Sequence, residues 1–224
     1  MMRITAALVV MAALAACSGE STSGAGTGGG TTNPGTGGSG TGGTGVSADT
    51  TTNITVEQQS QALRDVTAAL TENPNPITAA PTDPTAVMQG AVVLAAPQAN
   101  LRQTAIGAMS MEANFDTARV RGIADRFSLV NTDPTTGAQT RSATTGRLDY
   151  TGQIDLAGSS NQLTGDVVGA VELGDSGGTI RQGAIKGSFY ETDRGLASSG
   201  SVTGRITSNA GNDVQMIGTY GVTE

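Results

Sequence analysis

The chain has 224 residues, 33 of them glycine, and a formal net charge of −7 from 12 Lys and Arg against 19 Asp and Glu. It has no histidine and a single cysteine, which removes His-dependent hydrolysis, the usual ligands of zinc, copper and iron, and any disulfide framework. The acidity argues against a nucleic-acid partner, because neutralising phosphates takes clustered Lys and Arg.

Residues 1–16 carry Arg3, an apolar core from Ile4 to Leu14, and then Ala15-Ala16. That is the layout of a secretory leader, and its apolar run is shorter than the roughly 20 residues a spanning helix needs. The string Leu14-Ala15-Ala16-Cys17 resembles the lipobox of bacterial lipoproteins. The resemblance implies cleavage before Cys17 and acylation of Cys17, so that the protein is lipid-anchored to a membrane. Ser18 in place of Asp implies the outer membrane rather than retention at the inner one, on either its surface or its periplasmic face. Several acyl chains on one residue anchor stably, since each buried methylene contributes about 0.8 kcal/mol.

Residues 17–52 are almost entirely Gly, Thr, Ser, Ala and Asn. Such a composition buries too little apolar area to offset its ordering entropy. A disordered tether is therefore expected, with an end-to-end distance near roughly 30 Å. Residues 53–85 hold one short helix and a Pro-rich connector. Thr55 and Gln58 have capping-box spacing, Val56, Leu63, Val66 and Leu70 share one face, and Asn73-Pro74 stops the helix.

From Ala86 the apolar period changes to two. Met88 to Leu94, Met109 to Phe115, Leu148 to Leu156, Leu163 to Leu173 and Val214 to Val222 alternate. Ala118 to Val130 reads as a strand with a bulge near Gly122, and two more strands carry Gly187-Phe189 and Val202-Ile206. Turn chemistry separates them, as in "AGSSNQ", "GDSGG" and "SNAGND". Eight strands without helical interruption predict an all-β fold over residues 86–224, an eight-stranded antiparallel up-and-down β-barrel, closed so that no strand edge is left open. Gly152, Gly165, Gly169, Gly187, Gly204 and Gly218 fall on the apolar face. Glycine suits a narrow interior but adds nothing to a lipid-facing band, so the barrel is expected to stand in water.

This region resembles the β-barrel domain of transferrin-binding protein B-like surface lipoproteins. The resemblance lies in "NFDTARVRG" (Asn114 to Gly122), "GSFYETDRGLASSGSVTG" (Gly187 to Gly204) and "GTYG" (Gly218 to Gly221). It departs from that family where Glu191-Thr192 replace a Gly-Pro pair. It implies a solute-binding lipoprotein, iron- or haem-related, whose ligand contacts lie in loops.

"GDSGG", Gly174 to Gly178, matches a serine-protease nucleophile string, but Ser176 has no histidine to activate it. No stretch has the spacing of a calcium loop. Haem would find phenolate donors in Tyr150, Tyr190 and Tyr220, yet parity points Tyr150 and Tyr220 into the core. No metal and no cofactor is expected. Tyr190 points outward beside Thr192 to Gly195, which makes Tyr190, Asp193 and Arg194 the candidate binding residues. The longest loop, Asn131 to Gly146, is a second candidate. The sequence thus predicts a non-enzymatic lipoprotein that binds a protein or small solute through barrel loops. A structural envelope lipoprotein and a lipocalin-like carrier of an apolar ligand are the alternatives.

Overall fold

Alternating apolar residues need a partner strand on each side and a common interior. The computed structural model shows how the chain supplies both. It describes residues 56–72, 75–96, 103–133, 135–157, 162–173, 178–193, 195–208 and 213–224. The leader, Cys17, the tether, Thr55, Asn73-Pro74, Ser176 and Arg194 lie outside them. One helix, α1 (Val56–Glu72), precedes nine strands: β1 (Thr85–Ala95), β2 (Gln103–Asn114), β3 (Arg119–Thr132), β4 (Gln139–Ala143), β5 (Gly146–Ile154), β6 (Leu163–Val171), β7 (Gly178–Thr192), β8 (Gly195–Ser208) and β9 (Asp213–Thr223).

Every pairing is antiparallel. Apart from β4, each strand's neighbours are the strands before and after it in the chain, and β1 pairs with β9 from Gln89↔Thr223 to Ala95↔Ile217. The result is the closed eight-stranded up-and-down barrel the alternation predicts. The ninth strand, β4, lies within the predicted Asn131–Gly146 loop. It pairs with the far half of β3, from Ser128↔Ala143 to Thr132↔Gln139. Its residues are largely exposed, so no apolar alternation marked it in the sequence.

The predicted bulge is displaced by four residues. Gly122 keeps ordinary register opposite Met111 and Tyr150. The extra residue sits between Asp125 and Ser128, where Arg126 adopts φ +51°. This insertion switches the inward parity from Val120 and Ala124 to Phe127, all of which join the core. The Phe127 ring then occupies the space over Gly107, where an added Cβ would come within 2.4 Å of it.

The same complementarity recurs around the interior. A Cβ on Gly218 would meet Leu94 Cδ2 at 2.7 Å, and one on Gly152 would meet Leu163 Cδ1 at 2.9 Å. At Gly187 it would lie 2.1 Å from the Tyr220 hydroxyl and 2.4 Å from the Ser199 carbonyl oxygen. An eight-stranded barrel is only wide enough for its own side chains, and here glycines make room for the large ones.

Away from the helix many outward positions are polar, as with Arg147, Asp149, Thr151 and Gln153 on β5 and Ser201, Thr203 and Arg205 on β8. Among the described residues, the exposed large apolar side chains are Val87, Val168 and Ile217, on three different strands. A lipid-facing barrel carries a continuous apolar belt, and the exposed apolar side chains among the described residues do not form one. Helix α1 covers one part of it. Leu63 and Val66 are buried, as are the outward-facing Ala91 and Val93 of β1 and Ile106 and Ala108 of β2. The helix sits close over Gly221, where a Cβ would be 3.0 Å from Val66 Cγ1. Gln59 donates from Nε2 to the carbonyl of Arg126, at 3.2 Å, joining the helix to the bulge.

Replacing Gly187 with Ala forces a methyl against both the Tyr220 hydroxyl and the β8 backbone. Urea unfolding should show a loss of about 1–3 kcal/mol, partly restored in the Gly187→Ala/Tyr220→Phe double variant. Equal losses in the single and double variants would contradict the packing described.

Candidate functional site

The Pro-rich connector does not simply lead into the barrel. Residues 75–82 form a strap at the end of the barrel where β2, β5 and β7 finish and β3, β6 and β8 begin. Ile77 pins it. The Ile77 amide donates to the Phe189 carbonyl at 2.9 Å. The buried Gln162 holds the other side, its Nε2 donating to the Ile77 carbonyl while its Oε1 accepts from the Phe189 amide at 2.9 Å. Ile77, Phe115 and Leu156 pack on the core at this end, and Phe115 meets Phe189 edge to face with ring centroids 5.2 Å apart.

Beyond Ile77 the strap stands away from the rim and leaves a cleft of about 580 Å³. Residues 75–82 form one wall, and Glu191, Thr192, Gly195, Leu196 and Glu224 form the other. The second wall is braced. Leu196 and Glu224 pair through their backbones at 3.0 Å, and the Leu196 amide donates to Glu224 Oε2 at 2.7 Å. The Thr192 hydroxyl donates to the Gly195 carbonyl at 2.8 Å, closing the turn. Gly195 has φ +109°, a conformation that suits glycine.

The sequence-predicted binding residues lie beside this cleft rather than lining it. Tyr190 is half-buried on β7, next to the inward-pointing Phe189, and Asp193 is exposed at the turn. Neither is among the lining residues. Arg194 and Cys17 lie outside the described residues. What the sequence reading missed is the strap itself and Glu224, because nothing local to either signals that they meet.

Tyr150 and Tyr220 point inward as parity requires and are buried. The Tyr220 hydroxyl lies 3.1 Å from Ser198 Oγ, whereas the Tyr150 hydroxyl has no partner among the described residues. Burial pushes both phenols well above their ordinary pKa; the charge of Asp149 pushes Tyr150 further, and the Ser198 hydrogen bond opposes the shift at Tyr220. Both are neutral phenols sealed in the core. Among the described residues no group of three or more His, Cys, Asp or Glu is placed to hold a metal, and no helix is long and apolar enough to cross a membrane. No protein-family model, curated protein or solved structure matches the chain.

The two tyrosines should respond oppositely to loss of the hydroxyl. Tyr220→Phe strands Ser198 Oγ and should cost about 1 kcal/mol, while Tyr150→Phe removes an unpaired buried group and should be neutral or stabilising. Their pH dependence has a fixed sign. The folded-state pKa lies above the unfolded value of 10.0, so the stability these phenols contribute is complete below pH 10 and declines above it. Chemical denaturation across that range, with tyrosinate absorbance followed in parallel, should show falling stability before these two phenols ionise.

Proposed function

We propose that this protein is a non-enzymatic, lipid-anchored binding module of the bacterial outer membrane, and that it takes its ligand at the barrel rim. The single observation that carries the binding reading is the cleft between the strap and the β7–β8 turn, in a barrel whose interior is occupied by its own side chains. Its volume of about 580 Å³ falls within the roughly 300–1,000 Å³ of ordinary ligand sites. The lipobox-like Leu14 to Cys17 and the Gly/Thr-rich segment after it support the anchor and the tether. The polar outer wall supports a barrel standing in water on that tether.

The motifs that resemble transferrin-binding protein B-like domains fall on the β2–β3 turn, the β7–β8 hairpin and the end of β9. The β7–β8 hairpin is also one wall of the cleft, which favours rim binding over a purely structural envelope role. An iron or haem ligand is less well supported, since no tyrosine lines the cleft. A carrier holding an apolar ligand inside is disfavoured where Phe127, Leu94, Leu163 and Tyr220 fill the space beside glycines.

Two measurements test this reading. Metabolic labelling with an alkyne palmitate should mark the wild-type protein and not Cys17→Ala, which should shift to the soluble fraction; an unlabelled wild type would remove the anchor. Affinity capture of envelope components by the mature chain, residues 17–224, should fail when Ala80→Trp fills the cleft. Capture that survives this change would place binding elsewhere.

A further inference from the structure

We propose that the rim cleft binds an extended, basic segment of a partner polypeptide. The inference rests on the rim-binding reading and narrows it to a ligand class. Its first support is the strap's backbone. Ile77 uses both its amide and its carbonyl to hold the rim. From Thr78 to Thr82, no main-chain group has a hydrogen-bond partner among the described residues. Strap residues in this stretch are Thr, Ala, Ala, Pro and Thr, small side chains that let another backbone approach closely. A row of main-chain donors and acceptors is matched best by a ligand that carries the same row, which is how extended peptides are recognised. A compact solute could satisfy only one or two of them.

The second support is charge. Among the described residues, the ionisable side chains lining the cleft are Glu191 and Glu224. The Leu196 amide holds Glu224 Oε2 in place, and Oε1 has no partner among the described residues. A carboxylate held by one oxygen and open at the other is placed to receive a Lys or Arg of the ligand. The apolar parts of the lining, Pro76, Ile77, Pro81 and Leu196, can cover the aliphatic stem of such a side chain.

Fluorescence anisotropy of the mature chain with a labelled alternating alanine–lysine octapeptide tests this directly. The expected result is saturable binding, absent for the alanine–glutamate octapeptide. Glu224→Gln should weaken it about tenfold through loss of the charge pair, and Ala80→Trp should abolish it without changing net charge. Asp166→Asn, on the outer wall away from the cleft, should leave affinity unchanged. If Asp166→Asn and Glu224→Gln weaken binding equally, or if Ala80→Trp has no effect, the peptide is attracted only by the protein's overall acidity and the proposal fails. If neither peptide binds while Ala80→Trp still blocks capture of an envelope component, the cleft is the binding site but its ligand is not a basic segment. If Ala80→Trp also leaves that capture intact, the rim-binding reading fails with it.

Discussion

Closure of eight strands fixes the width of this protein's interior, and everything else in the structure follows from how that width is filled. A barrel of this strand number holds its own side chains and little more. Large inward residues therefore need small ones beside them. The chain meets this with glycine: Tyr220 projects over Gly187, Phe127 over Gly107, Leu94 over Gly218 and Leu163 over Gly152. The bulge at Arg126 belongs to the same solution, since without it Phe127 would point outward. Where the interior is occupied this way, a ligand is better placed at the barrel's ends or on its wall.

At one end the chain adds a strap. Its attachment depends on one buried amide, Gln162, which bridges the backbones of Ile77 and Phe189 as a short length of strand would. A buried amide is costly unless both its polar atoms are paired, and here they are. Gln162 therefore fixes the position of the strap, and the strap's departure from the rim after Ile77 creates the cleft. The other wall is equally well held, by Glu224 against Leu196 and by Thr192 against Gly195.

The architecture was legible in the sequence because it is a local pattern. Period-two alternation from Ala86, turn chemistry between the runs and glycine on the apolar face are each visible within a dozen residues. The helix was legible for the same reason, and Leu63 and Val66 do form its buried face. The site was much less so. Strand β4 is short, polar and exposed, and carries no alternation to detect. Gln162 reads as a turn residue in "AGSSNQ" until Ile77 is brought across 85 positions to meet it. Asp193 is a candidate only as a neighbour of Tyr190, and it is not among the residues lining the cleft. Tyr190 is a candidate by its outward parity, its place beside the turn and the enrichment of Tyr at binding sites, yet its half-buried ring is not among the lining residues.

The central proposal is that the barrel interior is taken up by its own side chains and that a ligand is met outside it. Apolar cavities of protein interiors take up xenon, so crystals of the protein pressurised with xenon measure that proposal most directly. The account predicts no xenon inside the ring of eight strands. Ordered xenon between Tyr150, Tyr220 and the inward glycines would contradict it and return the barrel interior to consideration as the binding site.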